Sequence, residues 1–135
     1  MNWICPDCGR AFKHKNQAHS CFKIKPEDFF INKSPMIFDL YQKLKRKVEK
    51  FGDIKIHASR SMINFTGGGT FMVVRPKNKW LEIEFLSDVE IDKPPVYKLF
   101  RFSKNKVAHY VRIESEDDIT KNLQELLKRA YKLSC

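Results

Sequence analysis

The groups best suited to chemistry crowd the start of the chain: Cys5, Cys8, His14, His19 and Cys21. Cys5-Pro6-Asp7-Cys8 is a C-x2-C knuckle, a spacing that lets two thiolates face one ion at about 2.3 Å. Gly9 suits the positive φ that such a turn tends to require. His19 and Cys21 supply the second pair, because alternate residues of an extended segment point the same way. His14 competes for the imidazole position, but Lys13 and Lys15 flank it and would press positive charge against the cation. The expected set of Cys5, Cys8, His19 and Cys21 fills a tetrahedron around one zinc ion and leaves no corner for water or substrate. Such a closed site is structural. Zinc binding of about 10–16 kcal/mol in finger peptides would supply most of the folding free energy of so small a module. Arg10, Lys13 and Lys15 can offset the excess thiolate charge, and Trp3 and Phe12 can buttress the ion.

Other candidates are weaker. Gly67-Gly68-Gly69 suggests a phosphate loop, but no G-K-[ST] follows and the next element reads as a strand. A hairpin turn explains it better. Asp53-Ile54-Lys55 resembles the D-x-K tail of a metal-dependent nuclease, with Glu82 or Glu84 as a second carboxylate. Asp53 more simply follows the Gly52 helix stop. His109 shares a face with Val107, Val111 and Ile113, where a histidine is ordinarily a hydrogen-bonded core residue.

These residues need a scaffold. Residues 22–27 read as a linker, so a zinc knuckle over 1–24 precedes a domain over 25–135. Ser34-Pro35 starts a helix, in which Ile37, Leu40, Leu44, Val48 and Phe51 form one apolar stripe. Ser115-Glu116-Asp117-Asp118 starts a second, with Ile119, Leu123, Leu126, Leu127, Ala130 and Tyr131 as its stripe. Residues 54–59, 70–74, 80–86, 97–102 and 107–113 read as strands, with turns at 65–70 and 77–79. The fold class is α+β: the zinc knuckle, then a mostly antiparallel sheet of about five or six strands flanked by two helices. Alternation puts Ile54, Ile56, Leu81, Ile83 and Phe85 on the core face, and Lys55, His57, Ser59, Trp80, Tyr110 and Arg112 on the other.

The formal net charge of +10 favours polyanionic partners. Lys55, Arg60, Arg75, Lys77 and Lys79 occupy an acid-free segment over 54–81, and a second acid-free segment covers 93–113. The two are expected to merge into one basic stripe. Cations interleaved with aromatics suit a single-stranded nucleic acid, whose phosphates the cations hold while the rings stack on bases. The expected interface comprises Arg10, Lys13, Lys15, Lys55, His57, Arg60, Arg75, Trp80, Tyr110 and Arg112. A protein-binding or small-ligand adaptor using the same aromatics is the alternative. No apolar leader or membrane span is read in the sequence, so the expected setting is cytoplasmic, where clustered cysteines favour metal over disulfides. Cys135 has no local partner and is given no role.

The pattern W-x-C-P-x-C-G-R-x-F-x4-Q-x-H-S-C over Trp3–Cys21, V-x-H-Y-V-R-I at 107–113 and S-E-D-D-I at 115–119 resemble an uncharacterised prokaryotic family, domain of unknown function 5655. The resemblance implies an accessory domain of the kind that accompanies nuclease-like and DNA-defence modules. It also keeps His109 as a site candidate. The opening also resembles C2HC zinc fingers, but those space the last His and Cys more widely. The short H-x-C argues against their helical DNA-reading geometry.

Overall fold

A computed structural model describes residues 3–5, 11–16, 25–59 and 61–135. A two-stranded ribbon pairs β1 (Trp3–Ile4) with β2 (Ala11–Phe12), setting the Trp3 and Phe12 rings 6.1 Å apart. After a 3-10 turn (Pro26–Phe30) come α1 (Pro35–Glu49), β3 (Lys55–Ala58), β4 (Ile63–Thr66), β5 (Thr70–Pro76), β6 (Leu81–Ser87), β7 (Lys98–Ser103), β8 (Lys106–Ile113) and α2 (Lys121–Ser134). Strands β3 to β8 form one antiparallel sheet in the order β3-β4-β5-β6-β8-β7. The architecture is α+β. No helix among the described residues is long and apolar enough to cross a membrane.

Both helices pack on one face of the sheet. The α1 stripe buries Ile37, Leu40, Leu44 and Val48, together with Tyr41, which apolar spacing alone does not single out. From the sheet, Ile63, Phe65, Met72, Val74, Leu81, Ile83, Phe85, Val111 and Ile113 meet them, each 1% exposed or less. Full burial of such side chains stabilises the fold by about 1.5–3 kcal/mol apiece. Phe30 joins this core, its ring 4.9 Å from that of Tyr41. Pro26 and Glu27 therefore belong to a packed turn, not to a linker.

Three sequence expectations shift at element ends. Ser34 has the extended backbone of an N-cap, but its hydroxyl makes no cap bond to α1. At Ser115 the Asp118 carboxylate accepts the Ser115 N–H at 3.2 Å, around the short 3-10 turn Glu116–Asp118. Helix α2 starts later, where Thr120 Oγ1 accepts the Leu123 N–H at 3.1 Å. Phe65 and Thr66, expected in a turn, lie in β4 opposite Met72 and Thr70. This one-residue step on β4 spans two on β5, and the extra residue, Phe71, turns its ring to within 5.4 Å of Tyr131.

The glycine run is a hairpin turn, closed by the Gly67 N–H donating to the Gly69 carbonyl at 3.0 Å. Its glycines let the end of α2 approach. A methyl group on Gly67 would lie 2.8 Å from Ser134 Oγ, and one on Gly68 would meet the Ser134 carbonyl.

Tyr41 Oη is buried without a hydrogen-bond partner among the described residues, and burial raises its pKa. An unsatisfied buried hydroxyl costs about 1–3 kcal/mol. Tyr41→Phe is therefore expected to stabilise the protein by about 1 kcal/mol. The urea midpoint should rise with an unchanged m-value.

Candidate nucleic-acid interface

The strand pairings fix what faces away from the helices. One row runs across all six strands as His57, Asn64, Val73, Glu84, Tyr110 and Lys98. The next sets Glu82 between Arg75 and Arg112. Alternation on a strand sends every second side chain to this outer face, so Lys55, His57, Trp80, Tyr110 and Arg112 share it as expected, and Arg75 joins them. Lys55 is exposed on the edge strand β3.

The outer face is not simply basic. Strand β6 lies between β5 and β8 and inserts its acids between the two acid-free segments, so these do not merge here. Arg75 is held by Glu84 at 2.9 Å. Glu82, 9% exposed, is the hub of a polar cluster. Its Oε1 accepts Trp80 Nε1–H at 3.3 Å and faces Arg112 Nε at 3.6 Å, and its Oε2 accepts the Tyr97 hydroxyl. The Arg112 guanidinium lies 4.9 Å from the Trp80 ring centre and 4.5 Å from that of Tyr97. Cation–π contacts of this kind contribute about 0.5–2 kcal/mol. Lys98 Nζ sits 5.2 Å from the Tyr110 ring centre. Burial, then the neighbouring Glu82 and Glu84 carboxylates respectively, raise the pKa values of Tyr97 and Tyr110.

Exposed aromatics extend this cluster. Tyr97, Phe100 and Phe102 are 46%, 52% and 57% exposed, and the two phenylalanine rings are 4.8 Å apart. The sequence held a signal for two of them: alternation over Lys98-Leu99-Phe100-Arg101-Phe102 puts Phe100 and Phe102 on the Lys98 side. Tyr97 had no local signal, because it reaches Glu82 over the intervening β8.

The family described as "Domain of unknown function (DUF5655)" matches residues 27–134. The chain belongs to that family. No curated protein and no solved structure matches it. The outer face lies wholly within the matched DUF5655 region, whereas the expected zinc ligands precede it. Of those ligands Cys5 is buried, while Cys8, His19 and Cys21 lie outside the described residues, as do Arg10 and Arg60. Lys13, His14 and Lys15 are exposed just after β2.

The DUF5655 sheet does not gather the carboxylates of a D-x-K nuclease. His57, four residues beyond Asp53, is already three strand spacings from Glu84, or about 14 Å. The Asp53 carbonyl instead accepts the Tyr131 hydroxyl at 3.4 Å.

His109 faces the core and is fully buried, its ring stacked 4.8 Å from that of Phe85. The Ile91 N–H can only donate, so Nε2 accepts it at 3.0 Å. Nδ1 then carries the proton and donates to the Val107 carbonyl at 3.0 Å. The histidine thus pins the long connection between β6 and β7. Burial lowers its pKa from 6.5. A lowered value means that the unfolded chain binds the proton more readily, so this stabilisation is complete above about pH 6.5 and declines below it. His109→Phe should keep the stacking but orphan both backbone groups, costing about 1–3 kcal/mol at pH 7.5. Urea melts at pH 7.5 and 5.5 should show a smaller pH dependence in the variant than in the wild type.

Proposed function

We propose that the chain is a non-enzymatic, zinc-clasped module that binds single-stranded nucleic acid across the outer face of its sheet. The supporting observation is the half-exposed set Tyr97, Phe100 and Phe102 on a strand face that also presents Lys98 and Arg112. Rings offer stacking platforms to unpaired bases, and cations beside them take the phosphates. Glu82 and Glu84 temper this reading usefully. They fix Arg112 and Arg75 in place, so bulk attraction must come from Lys55, Lys98 and the surrounding lysines. Stacking then contributes a larger share of the affinity than charge.

Fluorescence anisotropy with labelled single-stranded DNA, single-stranded RNA and duplex tests this. Single strands should bind more tightly than duplex. Log K should fall with log salt by about 0.7 per neutralised phosphate. Phe100→Ala and Phe102→Ala should each cost about 1–3 kcal/mol if a base stacks there. Undetectable binding at low salt would end the proposal. The Phe100–Phe102 pair on an edge strand also suits an apolar protein partner, and such a complex would persist at high salt.

In this reading Cys5, Cys8, His19 and Cys21 hold one structural zinc ion. The burial of Cys5 and the Trp3–Phe12 contact beside it suit a compact metal-centred tip. Elemental analysis should find one zinc per chain, and Cys21→Ser should lower that content. The unfolding free energy of the sheet domain in urea should stay within about 0.5 kcal/mol of its original value.

A further inference from the structure

The Gly67–Gly69 turn, the close of β6 and the β7–β8 turn meet at one end of the sheet. There, the last turns of α2 overhang a cavity of about 390 Å³. Its apolar wall is Phe71, Leu86, Ala130 and Leu133. A second hollow of about 340 Å³ adjoins it, sharing Thr70, Phe71, Leu86 and Lys106 and reaching Val73 and Phe102. Sites for small molecules commonly enclose about 300–1,000 Å³ with mostly apolar walls and a few polar groups. Each hollow has a large exposed apolar side chain in its wall: Leu133, 48% exposed, in the first and Phe102, 57% exposed, in the second.

The charges are unevenly satisfied. Asp88 is committed to Arg129 at 2.9 Å and Ser87 at 3.4 Å, and Glu84 to Arg75 at 2.9 Å. Ser134 turns its hydroxyl to the Tyr131 carbonyl at 2.5 Å. Lys106, which lines both hollows, forms no ion pair among the described residues. One unneutralised cation therefore stands where two apolar hollows join, with the Asn105 amide beside it.

We propose that this cavity binds a small amphiphilic monocarboxylate, with its apolar body against Phe71, Leu86 and Leu133 and its carboxylate on Lys106. The orientation follows from the helix. The carbonyl end of α2 repels anions, so the charged group lies at the Asn105–Lys106 side and the tail beneath the last turn. The assignment does not depend on nucleic-acid binding.

Sodium octanoate titrated into the full chain, followed by carbon-13 methyl NMR, tests it. The expected result is saturable shifts of the Leu86, Ala130 and Leu133 methyls. Octanol and octylammonium should bind about fivefold or more weakly. Lys106→Met, which keeps the apolar stem, should erase the preference for octanoate over octanol. Leu133→Glu, at an exposed position, should lower octanoate affinity about tenfold. Absence of saturable shifts in the folded protein overturns the site. Equal binding of the three probes, or octanoate binding indifferent to both substitutions, overturns the ligand class.

Discussion

Strand β6 divides its side chains between two environments, and the sheet is organised around that division. Leu81, Ile83 and Phe85 are sealed beneath the helices, while Glu82 and Glu84 point the other way. The strand is paired on both edges, so its register also sets the faces of β5 and β8. A slip of one residue would drive two carboxylates into the apolar layer and expose three large side chains. Each buried charge would cost several kcal/mol. The same constraint that locks the core thus delivers Arg75 and Arg112 to fixed places on the outer face.

Much of this was readable from local pattern. Spacings of three and four gave the stripes of both helices, and period-two alternation assigned Lys55, His57, Trp80, Tyr110 and Arg112 to one face. Helix starts were harder, because Ser115 and Thr120 are both good cap residues and only packing decides which one begins α2. Tyr41 was missed because its hydroxyl marks it as a surface residue, although its ring is core.

Strand order was not legible at all. Nothing in the sequence around 107–113 says that β8 inserts between β6 and β7, since that depends on pairing across a long connection. This insertion sets acidic β6 between the basic segments and brings Tyr97 within reach of Glu82. Composition had suggested a continuous positive stripe, whereas the assembled face alternates charge and aromatic surface. Cys8, His19 and Cys21 lie outside the described residues, so the proposed clasp rests on spacing and on the burial of Cys5.

The insertion of β8 also orders events during synthesis. The ribosome makes β7 before β8, yet among the described residues β7 has no neighbour in the sheet except β8. Until residues 106–113 emerge, Phe100 and Phe102 belong to a strand with nowhere to dock. The Phe100–Phe102 pair is therefore set in place late, when β7 closes onto β8.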